Sequence, residues 1–179
     1  MSQIRAAILT LSDQGYQGKR ADQSGPALAS WLCAHSVDVV CTKLLPDEVE
    51  VISAQLKQWA DAGDCDLILT TGGTGVSPRD VTPEATKQVL DREIPGLAEA
   101  MRAQSLAKTP QAMLSRAVAG VRGRVLIVNL PGSPNGAIEN VQAIWPAIPH
   151  AIQKIQGDMS DCAPVESPAA AFTANPQKG

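Results

Sequence analysis

The residues best suited to chemistry lie between Leu67 and Glu84. An apolar run, Leu67 to Leu69, leads into Thr70, Thr71, Gly72, Gly73, Thr74 and Gly75, and Arg79 and Asp80 follow within a few residues. Glycines that bare main-chain N–H groups where a strand passes into a helix make a cradle for a phosphate. Gly72, Gly73 and Gly75 can take positive φ and let an anion approach the backbone, and Thr71 and Thr74 add hydroxyl donors. The spacing matches neither G-x-x-x-x-G-K-S/T nor G-x-G-x-x-G, and the same glycines would also suit a plain tight turn. A second carboxylate, Asp47, lies just past another predicted strand. Two carboxylates beside a phosphate would repel it unless a cation lay between them, and Mg2+ typically uses one or two carboxylates together with phosphate oxygens. The alternatives are a helix-dipole contact for Asp47, and a turn position or an ion pair with Arg79 for Asp80.

Two further groups join these. Arg116, next to Ser115, can fork onto a phosphate or sit solvated on the surface. Pro131, Gly132, Ser133 and Pro134 form either a rigid turn or a loop whose backbone lines a flat nucleobase. No Ser-His-Asp or Cys-His arrangement is evident. A phosphoryl or nucleotidyl transfer that works by positioning and charge neutralisation therefore fits better than covalent catalysis. Cys33, Cys41, Cys65 and Cys162 form no C-x-x-C pair and read as reduced, apolar-packing residues. His35 and His150 read as surface residues, and Trp31, Trp59 and Trp145 as core or interface. The net charge of −3 and the 3% of aromatic residues argue against nucleic-acid binding.

The elements that must position these residues alternate. Residues 6–11, 37–45, 67–71 and 125–130 are short, apolar or β-branched, and read as buried strands. Between them, Leu28, Trp31, Leu32 and His35, and then Val49, Ile52, Leu56 and Trp59, recur at helical steps. Residues 14–25 read as a loop. Thr82 reads as the N-cap of a helix that continues to about Leu90, with Pro83 at its first position. Pro95 and Gly96 read as a break before a helix over 97–106, and residues 113–121 as a short strand and turn. The last helices fall at about 136–143 and 146–156, and Pro149 is a candidate to kink the last one or delay its start. Residues 1–158 then form one α/β domain, a mostly parallel sheet with helices on both faces, and 159–179 a tail. Ligands of such sheets bind at the carboxyl ends of the strands. The loops there are Ser12-Asp13, Pro46 to Glu48, Thr71 to Asp80 and Pro131 to Asn135. No leader sequence is recognisable and no apolar run approaches the ~20 residues that span a bilayer, so a cytoplasmic protein away from membranes is expected.

These motifs occur in an order that closely resembles the molybdenum-cofactor biosynthesis family. They are Thr70 to Gly75, Arg79 to Thr86 and Leu130 to Pro134, with Ala6 to Asp13, Ser24 to Pro26, Pro46 to Glu48 and Met113 to Ala117. The likeness is strongest to the MogA-type molybdopterin adenylyltransferases and the G domains of plant Cnx and gephyrin, over about residues 4–158. The resemblance implies a three-layer α/β/α fold, ATP and molybdopterin as substrates, and AMP transfer to the terminal phosphate of molybdopterin with release of pyrophosphate. It further implies a homotrimer, with hand-over of product to the molybdate-insertion enzyme. Carried onto this chain, Asp47 and Asp80 match the catalytic, Mg2+-binding aspartates. Gly72, Gly73, Thr74 and Gly75 match the anion loop, and Ser12 and Asp13 the loop after the first strand. Ser115 and Arg116 match the molybdopterin side, and Pro131, Gly132, Ser133 and Pro134 the nucleotide side. A MoaB-type paralogue that binds molybdopterin without catalysis is the alternative. The presence of both Asp47 and Asp80 places the chain with the active type.

Overall fold

Apolar runs that do not alternate must be covered on both faces, and here they pair side by side to allow it. The computed structural model describes residues 3–158. In chain order the elements are β1 (Arg5–Leu11), α1 (Asp13–Tyr16), α2 (Ser24–Ala34), β2 (Asp38–Leu45), α3 (Val49–Ala62), β3 (Leu67–Thr71) and α4 (Thr82–Lys87). Then come β4 (Arg92–Glu93), α5 (Pro95–Leu106), a 3-10 turn at Pro110–Leu114, β5 (Ala119–Arg122), β6 (Val125–Leu130), α6 (Pro134–Ile144), a second 3-10 turn at Trp145–Ala147 and α7 (Ile148–Ile155). The expected tail, residues 159–179, lies outside the described residues.

One six-stranded sheet has the order β2-β1-β3-β6-β5-β4. β2, β1, β3 and β6 run parallel, while β5 is antiparallel to both its neighbours. The sheet is therefore mixed but mostly parallel, and helices flank both faces. Ala6 and Ile8 of β1 face one core, shared with Leu28 and Leu32 of α2, Met101 of α5 and Val141 of α6. Ala7, Leu9 and Leu11 face the other, against Ile52 and Leu56 of α3 and Ala85 of α4. This is the period-two alternation of a strand covered on both sides. Trp31 and Trp145 pack edge to face beside the first core, and Trp59 packs against the second.

Register is what brings the site together. Leu11 lies opposite Leu45, Thr10 opposite Thr71, and Thr71 opposite Leu130. The four parallel strands thus end level, and the loops after them leave from one edge.

Several local expectations are corrected. Residues 14–25 contain the end of α1 and the start of α2 rather than loop alone. Pro95 and Gly96 open α5 instead of breaking the chain, because the first helical turn tolerates a missing N–H. Residues 110–114 form a 3-10 turn, so the strand in this region is confined to Ala119–Arg122. Its partner β4 has only two residues, too few to show a period. Pro149 falls in the first turn of α7, which starts at Ile148, later than expected and after a 3-10 turn, so the outcome is the delayed start. Among the described residues no helix is long and apolar enough to cross a membrane.

One buried polar knot ties the glycine-loop strand to its surroundings. The Asn129 amide donates to the hydroxyls of Thr70 and Thr86, each at 2.9 Å, and its carbonyl accepts from the Val118 N–H at 3.3 Å. All three bonds are buried, so Asn129→Ala leaves several polar groups without partners. The expected loss is about 3 kcal/mol of unfolding free energy, read from the urea midpoint; a loss below about 1 kcal/mol would mean that the knot contributes little.

Candidate functional site

The glycine loop is shaped from within. Gly72 has φ 107° and Gly73 φ 62°, conformations that L side chains rarely adopt. A Cβ on Gly73 would come within 2.9 Å of Asp47 Oδ1 and would also meet the Thr82 hydroxyl. The loop's carbonyls are all engaged inward. Thr82 Oγ1 donates to Gly72 O at 2.8 Å and Thr82 N to Gly73 O at 3.1 Å. Arg116 N donates to Thr74 O at 2.9 Å and Arg116 Nε to Gly75 O at 2.6 Å. The N–H groups of Gly73, Thr74, Gly75 and Val76 take no acceptor among the described residues. Inward carbonyls with uncommitted amides are the polarity an anion requires.

Two expectations change here. Thr82 is not an N-cap: Val81 holds that position without a side-chain bond, and the Thr82 hydroxyl, one residue inside the helix, donates to Gly72 O. α4 ends at Lys87 rather than Leu90. Arg116 does not point into a cleft as a phosphate fork. Its guanidinium bonds Gly75 O, Asp80 O and the Glu84 carboxylate, and so braces the loop. That bond holds the Glu84 carboxyl below the usual carboxylate range.

The aspartates form a second unit. Asp13 N donates to Asp47 Oδ2 at 2.9 Å, and Asp47 N returns a bond to Asp13 Oδ1 at 3.0 Å. Arg79 grips Asp13 with two bonds of 2.9 Å and Glu48 with one of 2.9 Å. The ion pair between Arg79 and Asp80 considered from the sequence is absent, and Asp80 Oδ2 instead accepts from Ser77 N at 2.7 Å. The Arg79 bonds hold the Asp13 carboxyl below its ordinary range. Asp47 goes the other way. Burial pushes its carboxyl above the ordinary range, the N–H of Asp13 opposes this, and the negative Asp13 and Asp80 reinforce it. Asp47 Oδ1 is buried and has no hydrogen-bond partner.

Two clefts, each of about 390 Å³, open at this edge. Ser12, Asp47, Gly72, Gly73, Asp80 and Gly132 line the first, an acidic cleft, and Pro134 also borders it. Thr74, Gly75, Ser115, Pro131, Arg102 and Asn140 line the second. Ser133 touches both. The glycine loop is the wall between them, with Gly72 and Gly73 on one side and Thr74 and Gly75 on the other. Asp13 stands behind the first cleft through its bonds to Asp47, and Arg116 lines neither. The loop after β6 is pinned in the same manner as the glycine loop. Thr71 Oγ1 donates to Pro131 O and Ser24 Oγ to Gly132 O, both at 2.6 Å, while Ser133 caps α6.

Sequence reasoning passed over Arg20 and Asp22 and gave Ser24 no role beyond the family motif it opens; all three line the acidic cleft. Asp22 Oδ1 accepts from the N–H groups of Ser24 at 2.9 Å and Gly25 at 3.0 Å. An Asp two residues before a Ser-Gly-Pro helix start is a capping signal that could have been read. Among the described residues no group of three or more His, Cys, Asp or Glu side chains is placed to hold a metal. Two carboxylates with one buried, unpartnered oxygen nevertheless fit a hard cation that takes its other ligands from phosphate and water.

Residues 7–150 match the family described as a probable molybdopterin binding domain. A molybdopterin adenylyltransferase of Haemophilus influenzae is 41% identical over 175 residues, covering 90% of this chain and 89% of that protein. The molybdenum cofactor synthesis protein cinnamon of Drosophila melanogaster is 41% identical over 161 residues, which are 89% of this chain but 27% of that protein, so this chain spans about a quarter of its length. A crystal structure of the molybdopterin biosynthesis enzyme MoaB from Thermus thermophilus aligns with a TM-score of 0.82 at 53% identity, covering 87% of this chain and 98% of that one.

The suppressed ionisation of Asp47 has a measurable consequence. An acid whose native pKa is raised loses native stability as pH climbs from its unfolded value, about 4, through the native one. Asp47→Asn removes that ionisation while its carbonyl still accepts from Asp13 N. The variant is expected to melt above the wild type at about pH 7 and to converge with it towards about pH 4. Thermal unfolding across this range checks it, and a gap that does not change with pH would refute the assignment.

Proposed function

Because this chain belongs to the MogA/MoaB-type family of molybdopterin-binding and adenylyltransferase proteins, we propose that it transfers AMP from ATP to the terminal phosphate of molybdopterin. The observation that carries the reading is the shared wall. A loop with inward carbonyls and free amides stands between two clefts of equal size, so one anion-binding backbone can serve two phosphorylated molecules. The acidic cleft suits the nucleotide's phosphates, and the second suits a ring system whose phosphate meets Thr74 and Gly75.

Transfer forms a bond from a molybdopterin phosphate oxygen to the α-phosphorus of ATP and breaks the bond from that phosphorus to the bridging oxygen, whose electron pair leaves with pyrophosphate. The attacking oxygen is already ionised, so no side-chain base or nucleophile is needed. What the chain supplies is alignment and fixed dipoles. Asp47 and Asp80 would hold Mg2+, which would offset the negative charge of the phosphate oxygens. Arg116 and Thr82 keep the loop's amides turned outward, and Ser115 borders the molybdopterin side. A relative called an adenylyltransferase and a structure called MoaB both align over nearly the whole chain. Preference for the active type therefore rests on the presence of Asp47 and Asp80 in one cleft.

Pyrophosphate release from Mg-ATP in the presence of purified molybdopterin tests the reading; binding of molybdopterin with no pyrophosphate release would mark a carrier instead. Asp80→Asn is expected to keep the circular dichroism spectrum and lose roughly 10²-fold or more in rate, and a variant as fast as wild type would remove Asp80 from the chemistry. We also take the assembly to be the homotrimer implied by the resemblance, able to pass product to the insertion enzyme. Light scattering is expected to give three times the chain mass, and a monomer mass would overturn this.

A further inference from the structure

Two arginines line the acidic cleft, and they differ in one respect. Arg79 is committed to Asp13 and Glu48. Arg20 has its main chain fixed, with Arg20 N bonded to Gln14 O at 3.3 Å and Lys19 N to the same oxygen at 2.9 Å. Its guanidinium, however, takes no carboxylate or carbonyl among the described residues. The other lining arginines, Arg79 and Arg102, and Arg116 behind the loop all spend their guanidinium groups on protein acceptors. Among the described residues, Arg20 is the cleft-lining arginine with its donors left over.

Its surroundings give that surplus a direction. The carboxylates lining the cleft are Asp22, Asp47 and Asp80. Asp22 is turned to the N–H groups of Ser24 and Gly25, and Asp80 to Ser77 N. A guanidinium free to move in an acidic cleft would ordinarily collapse onto a carboxylate, and here none receives it. The turn that carries it leaves α1 at Gly18, φ 70°, and runs beside Gly15, another residue of the cleft wall. Arg20 and the glycine loop are thus two separate sets of donors on the wall of one cleft.

We infer that Arg20 is a diphosphate-binding residue, which forks onto the β- and γ-phosphates of the bound nucleotide and then onto the pyrophosphate as it leaves. The inference rests on the adenylyl-transfer reading for its substrate. When the bond from the α-phosphorus to the bridging oxygen breaks, negative charge grows on the β-phosphate. A bidentate cation placed there binds the transition state more tightly than the ground state. Loop amides and the aspartates serve the α-phosphate end, and Arg20 supplies the far end.

Pyrophosphate and AMP separate the two ends of the nucleotide. Wild type, Arg20→Gln and Arg20→Lys are compared by calorimetry with each probe in the presence of Mg2+. Arg20→Gln is expected to weaken pyrophosphate binding about tenfold or more and leave AMP binding unchanged, and Arg20→Lys to recover part of the loss. In turnover, kcat/KM for ATP should fall by a similar factor with KM for molybdopterin unmoved. Equal pyrophosphate affinity in wild type and Arg20→Gln, equal losses for AMP and pyrophosphate, or no pyrophosphate binding by wild type would each overturn the inference. If wild type binds pyrophosphate through Arg20 yet forms no adenylyl product, the subsite stands and the adenylyl-transfer reading fails.

Discussion

The amides of the glycine loop can face outward only because its carbonyls are held from inside. A peptide group is a rigid dipole, so fixing the oxygen end fixes the N–H end as well. Thr82 and Arg116 do the fixing, from a helix start and from the segment before β5. The Arg116 guanidinium is in turn balanced by Glu84, in the first turn of α4. The loop thus presents neutral backbone N–H groups, and the arginine that organises it stays out of the clefts.

Charge in the acidic cleft follows a different logic. Asp13 and Asp47 exchange hydrogen bonds, and Arg79 neutralises Asp13 alone of the two. Asp47 is left with a buried oxygen that nothing in the protein satisfies. Such an oxygen costs stability, and the proposed cation and phosphate binding would give the fold reason to retain that cost. The stability of the fold rests elsewhere, in two aliphatic cores on either side of the sheet and in the Asn129 knot between them.

Much of this was legible locally. Leu67 to Leu69 and Val125 to Leu130 read as buried strands because they are apolar without alternation, and they pair in parallel. The periodic Val49, Ile52, Leu56 and Trp59 gave α3 its correct face. Boundaries failed where tertiary contacts overrode local preference. Thr82 looked like a cap, but α4 begins at Thr82 itself and its hydroxyl donates to Gly72 O, while β4 is too short to carry a pattern. Arg79 beside Asp80 looked like an ion pair, yet the fold offered Asp13 and Glu48 instead.

Periodicity and steric allowance are properties of neighbouring residues, so the chain alone determined the α/β class, the glycine turn and the acidic residues worth suspecting. Which polar groups meet is decided by the level ending of four strands, which joins Asp13 to Asp47, 34 positions apart, and Ser24 to Gly132, 108 positions apart. Only the folded sheet could turn Arg116 onto the loop, assign Arg79 to Asp13, leave Asp47 Oδ1 unsatisfied and bring Arg20 to the cleft. A side chain's choice of partner depends on distance in space, which the sequence encodes only through the packing of the whole.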